Sequence, residues 1–173
     1  MNDFVATLPK ESRPKSPFFT AIFASLIIVF FFWSKPPFTF AFDPHDEKCL
    51  PELHVAFLIH RQPNQVQGGD YLFWKPSGAL RYVNQEFVLK RVAGVPGDRL
   101  LIKDQNVYIN GKLTVSGLPL SGLYRVSPKQ LERDEVIPPG RFFVIGTHPN
   151  SDDSRYWGYL DIKNVAGIGY KIF

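Results

Sequence analysis

In the segment Phe87-Val88-Leu89-Lys90-Arg91-Val92, a strand would put Lys90 on one face with Val88 and Val92, and Arg91 on the other with Phe87 and Leu89. Burying an ammonium is costly unless the group sheds its proton or finds a partner. Two readings follow: an edge strand with Lys90 in water, or a desolvated lysine suited to general-base work near neutral pH. Cys49, the single cysteine, is the second candidate. It is either a buried inert residue or a nucleophile whose thiolate a nearby base supplies. The third is the dense run Gly146-Thr147-His148-Pro149-Asn150-Ser151-Asp152-Asp153-Ser154-Arg155-Tyr156-Trp157-Gly158. As a plain loop it would hold Asx turns and an Asp153–Arg155 ion pair. Its hydroxyls and carboxylates also suit a site that orients another polar group.

Other chemistries find less support. His54 and His60 share a parity within one candidate strand, and His45 and His148 fall in candidate loops, so no spacing singles out a Cys–His pair. One cysteine excludes an internal disulfide and any multi-cysteine metal site, and no His-x-x-x-His occurs. Neither a metal nor another cofactor is expected. Lys+Arg number 20 against Asp+Glu 16, a mild excess with the basic residues spread out, so a nucleic-acid partner is not indicated.

These residues need strands to position them. The chain has 173 residues with 13 Gly and 15 Pro, punctuation that favours many short strands over long helices. Period-two or short apolar runs mark 53–60, 71–75, 87–92, 100–103, 107–109, 113–115, 141–145 and 165–172. Asn110-Gly111 is a strong hairpin signal, since a type I′ turn needs positive φ at both central residues. Ser127–Glu135 is the one expected helix in this part, with Pro128 behind a Ser cap. The expected class is mainly β, with a twisted and partly closed sheet.

Phe18 to Trp33 is apolar except for Thr20 and Ser25, and would span roughly 24 Å as a helix against a ~30 Å hydrocarbon core. Pro17 can open this helix, Lys35 can snorkel outward, and Pro36-Pro37 stops it. The run is read as a retained anchor over 18–35. The second reading is a cleaved signal peptide ending near Thr39-Phe40-Ala41. Lys10, Arg13 and Lys15 keep the short N-terminus, 1–17, in the cytoplasm. Residues 38–173 then form one exported domain in the bacterial periplasm.

At this point the residues resemble a known family. Gly69-Asp70, then Lys90-Arg91-Val92-Ala93-Gly94-Val95-Pro96-Gly97-Asp98, then Pro139 to Gly146 running into Asn150-Ser151-Asp152-Asp153-Ser154-Arg155-Tyr156-Trp157-Gly158, look like successive boxes of the type I signal peptidases. The resemblance covers Cys49 to Phe173. It implies a mostly β fold carrying a Ser–Lys dyad, with Lys90 as general base, Ser151 as the residue that orients it, and Asp153 with Arg155 as a supporting ion pair. The nucleophile box departs from the family's Ser-Met-x-Pro, which would put the serine at Lys48. The subfamily acting in conjugative DNA transfer (the TraF type) has its nucleophile two residues before the proline, and that register gives Cys49 in Cys49-Leu50-Pro51. The implied function is a membrane-anchored endopeptidase acting on exported precursors, with a conjugative pro-pilin as substrate. The alternative is a fold that has lost catalysis and serves as a binding module of the transfer apparatus.

Overall fold

The computed structural model describes residues 17–33, 36–42 and 49–172. It divides into two compact units, one ending at Pro36 and the other beginning at Pro37. In the first, helix α1 runs over Pro17–Trp33, opening on the proline as expected. Phe18, Phe23, Leu26 and Phe30 are all well exposed along it. It holds 17 residues, and among the described residues no helix is long and apolar enough to cross a membrane.

The second unit is built from two antiparallel sheets. The larger contains β1 (Phe38–Phe42), β2 (Val55–Ile59), β3 (Tyr71–Trp74), β4 (Val88–Gly94), β9 (Arg141–Ile145), β10 (Leu160–Asp161) and β11 (Val165–Lys171). Its order is β1-β2-β11-β3-β4-β9-β10. The smaller contains β5 (Arg99–Lys103), β6 (Asn106–Ile109), β7 (Lys112–Ser116) and β8 (Arg133–Val136), in the order β7-β6-β5-β8. Neither order returns on itself, so the partly closed sheet expected above is corrected to two open ones. The Asn110-Gly111 turn is present with φ of 51° and 77°. An unforeseen turn of the same hand joins β5 to β6, with Asp104 at φ 49° and Gln105 at φ 63°.

One further expectation changes. The helix over Ser127–Glu135 is confined to a 3-10 turn at Pro128–Leu131, whose start is fixed by the Ser127 N–H donating to Gln130 Oε1 at 2.8 Å. The following residues become β8, because β5 has an edge whose backbone groups need partners. Arg99 seals this pairing by donating from Nε and Nη2 to the two Asp134 carboxylate oxygens at 2.8 and 2.7 Å. The Thr39-Phe40-Ala41 stretch is part of β1, paired with β2 from Phe38↔Ile59 to Phe42↔Val55.

The core lies in three clusters. Leu72, Trp74, Val88, Val92 and Val144 pack on one face of the larger sheet. Leu100, Ile102, Val107, Ile137, Phe143 and Tyr156 join the two sheets. Leu50, Leu53, Ala56, Leu58 and Phe73 anchor the segment that carries Cys49. The first two are rich in the β-branched and aromatic residues that suit strands.

Candidate active site

Lys90 is held by the strand pattern. It alternates with exposed Arg91 and shares its buried face with Val88 and Val92. The edge-strand reading is corrected: β4 is internal, with Lys90 opposite Leu72 of β3 and Arg91 opposite Ile145 of β9. Lys90 is only 2% exposed. Its Nζ donates to Ser151 Oγ at 2.8 Å, the buried partner that an enclosed amine requires.

Ser151 is fixed by the loop that follows β9. Its N–H donates to the His148 carbonyl at 3.0 Å, and its own carbonyl accepts from Arg155 Nη2 at 2.9 Å. Arg155 is fully enclosed and also donates to the Pro149 carbonyl and the Gly117 carbonyl, each at 3.1 Å. Its charge is met by Asp153, equally enclosed, through Nε to Oδ1 at 2.8 Å and Nη2 to Oδ2 at 2.9 Å. Burial works against the guanidinium's charge, but the hydrogen bond and the charge of Asp153 outweigh it and hold the Arg155 pKa above its ordinary value. Asp153 caps the short helix α2 (Ser154–Trp157) by accepting from the Arg155 N–H at 3.2 Å. It also accepts from the Gly146 N–H at 3.1 Å, and Ser154 Oγ accepts from the Val144 N–H at 3.0 Å. These bonds fasten the polar loop to the end of β9.

Cys49 meets this loop from the other side. It is half-buried, and its carbonyl accepts from the His148 N–H at 3.2 Å. Gly146 lies between the two segments: a Cβ there would fall 2.2 Å from Ser151 Oγ and 2.6 Å from the Cys49 carbonyl oxygen. Only a glycine allows so close an approach. Lys90, Ser151, Asp153, Arg155 and Cys49 are thus gathered at one end of β4 and β9. Lys48 and His45 lie outside the described residues.

The other histidines have different surroundings. His60 Nε2 is 2.8 Å from Thr39 Oγ1, and its ring packs edge-on against Phe73 and Phe87. His148 Nδ1 accepts from the Asn150 N–H at 3.2 Å. Among the described residues no group of three or more His, Cys, Asp or Glu side chains is placed to hold a metal ion.

Several residues of the site are not legible in the sequence. Glu52, three residues after Cys49, accepts from Thr147 Oγ1 at 2.5 Å and from the Tyr71 phenol at 3.4 Å, tying the cysteine segment to the polar loop and to β3. Tyr82 and Tyr124 both donate to Asp152, Tyr124 at 2.6 Å. These pairs join residues 19 to 95 positions apart, which no local spacing reveals.

Several known proteins are similar to this chain. The signal peptidase I of Leptolyngbya laminosa is 33% identical over 131 residues, covering 70% of this chain and 62% of the relative. A probable signal peptidase I-2 of Synechocystis sp. is 31% identical over 108 residues, covering 61% of this chain and 47% of the relative. The chain therefore spans about half to three fifths of the length of these relatives. A signal peptidase I crystal structure from Enterococcus faecalis V583 is 28% identical, with a TM-score of 0.38 over 61% of this chain and 97% of that one. The family model for signal peptidase, peptidase S26, matches from residue 15 to residue 172, and the chain belongs to that family.

Proposed function

We propose that the chain is a membrane-anchored, signal-peptidase-like endopeptidase that cuts exported precursors through Cys49 and Lys90. One observation carries the reading: an amine enclosed among valines, bonded to a serine hydroxyl, at the loop against which the cysteine segment packs. An enclosed lysine of this kind has little to offer as a structural cation and much as a base. In the mechanism, Cys49 Sγ attacks the scissile carbonyl while its proton passes to Lys90 Nζ. The Cys49 backbone N–H receives the developing oxyanion, a contribution of about 3 kcal/mol. Lys90 then returns the proton to the leaving amine. Water resolves the thioester, giving the carboxylate and the free thiol. Ser151 orients Lys90 throughout, and the Asp153–Arg155 pair holds Ser151.

The finer assignment is to the subfamily of conjugative transfer, with a pro-pilin as substrate. It rests on the Cys49-Leu50-Pro51 register. The substrate docks in extended form against a strand edge. The chain is assigned to the bacterial inner membrane, N-terminus in the cytoplasm and β domain in the periplasm. The exposed apolar surface of α1 supports this, as do Phe38, Phe40 and Phe42 on the outward face of β1.

Two results test the reading. Iodoacetamide at neutral pH is expected to alkylate Cys49 at least about tenfold faster in the unsubstituted chain than in Lys90→Met, because only the thiolate reacts and Lys90 supplies it. Equal rates, measured by mass spectrometry, would separate the lysine from the thiol. Gly146→Ala is expected to cut the cleavage rate by about 10²-fold, since its methyl must push Ser151 and Cys49 apart and displacements near 1 Å cost that much. Circular dichroism should show the sheets intact, and full activity in this variant would remove Gly146 from the site.

A further inference from the structure

Asp152, Tyr82 and Tyr124 are not used by the mechanism, yet they stand against it. Asp152 follows Ser151 in the chain and precedes Asp153. Its Oδ2 accepts from the Tyr82 phenol and its Oδ1 from the Tyr124 phenol. Tyr82 lies between the 3-10 turn Gly78–Leu80 and β4, whereas Tyr124 lies between β7 and the turn at Pro128. One carboxylate therefore pins together two segments of the chain that are remote in sequence. Burial, the hydrogen bond to Asp152 and its charge push both phenols well above the usual tyrosine range, so they remain donors at any physiological pH. Tyr124 is further braced by stacking on Tyr156 at 5.3 Å.

Between these walls lies an open groove of about 280 Å³, lined by Ala79, Tyr82, Leu123 and Tyr124. That is just below the volume of typical small-molecule pockets, about 300–1,000 Å³, and suits a single side chain. Its lining is mainly apolar, with Leu123 66% exposed. The groove and the candidate active site share one loop. The groove's walls are bonded to Asp152, the chain neighbour of Ser151, and the Cys49 carbonyl accepts from the His148 N–H of the same loop.

We propose that this groove is a subsite for one aliphatic or aromatic side chain of the extended substrate, and that Asp152 is the specificity-determining residue that fixes its shape. The proposal rests on the peptidase reading for its occupant, and binding can be measured apart from cleavage. The probes are fluorescein-labelled twelve-residue peptides of alanine with terminal lysines for solubility, in which one leucine or phenylalanine is moved through the sequence. Their anisotropy is followed on the full chain carrying Cys49→Ala in detergent micelles. At one position leucine or phenylalanine is expected to bind about tenfold tighter than alanine. Adding Leu123→Asp, a change at an exposed position, should abolish that preference. Tyr124→Phe keeps the ring but loses the bond to Asp152, and should weaken the preference two- to fivefold.

Absence of a preference, whether through uniform binding or none, would overturn the subsite, as would a preference that survives Leu123→Asp. Cleavage of the same peptides by the unsubstituted chain is scored separately. Peptides bound with the preference but never cut would sink the peptidase reading and keep the groove. Peptides cut at equal rates whatever the side chain would keep the peptidase and sink the groove.

Discussion

Cys49→Ala is expected to leave precursor uncut in cells, with the rate of cleavage by the purified chain down by about 10⁴-fold or more. Removal of a nucleophile from a triad-like unit costs on that order, because the remaining members have nothing to activate. Lys90→Ala should fall as far, and the double variant no further, since the two side chains act as one unit. Cys49→Ser is the informative companion. A hydroxyl in the same place keeps the geometry but gives up its proton less readily than a thiol, so about 10²-fold loss is expected rather than extinction. Measured rates for the four variants on one precursor check the scheme. Normal processing by Cys49→Ala would exclude this dyad, whereas the binding-module reading has its own signature: no cleavage by the unsubstituted chain, and transfer or pilus assembly that survives Cys49→Ala and fails with changes on the sheet surface.

The sequence reveals the strands that this chemistry needs because the alternation of Val88, Lys90 and Val92 is a local property. Burial of every second residue of β4 follows from it directly. The Asp153–Arg155 pair is legible for the same reason: its members are two residues apart, on a turn that becomes the cap of α2. What escapes is set by partners far along the chain. Arg133–Val136 carries charges that read as a solvated helix, and becomes β8 only because β5 offers unpaired backbone groups and Arg99 faces Asp134. Phe38–Phe42 follows an apolar run and two prolines, which hides a strand whose alternation is plain once β2 lies beside it. The turn at Asp104-Gln105 puts a glutamine at positive φ, a conformation that composition argues against and the flanking ladder enforces. In the site the division is similar. Lys90, Ser151 and Cys49 declare themselves by residue type and motif, but Gly146 shows its purpose only where the two segments touch.

Arg155→Met is expected to lower the stability of the β domain by about 3–5 kcal/mol, the largest structural effect of any single change at the site. The side chain is fully enclosed, and removing it strands one buried charge and several backbone acceptors. The Asp153 carboxylate would remain buried without its counter-ion, and the carbonyls of Gly117, Pro149 and Ser151 would each lose a donor. Asp153→Asn should cost less, because the amide oxygen can still accept from the Gly146 N–H and the Arg155 carbonyl partners remain. Urea unfolding followed by tryptophan fluorescence measures both, and a fall in the thermal midpoint of about 10 °C should accompany the Arg155 change. The two variants also separate stability from positioning. Arg155 holds the Ser151 backbone, and Ser151 holds Lys90, so Arg155→Met assayed well below its unfolding temperature should still lose kcat. If kcat were normal in the folded fraction of that variant, Ser151 would be placed by the remaining bonds of its loop alone, and the ion pair would serve only to keep the domain folded.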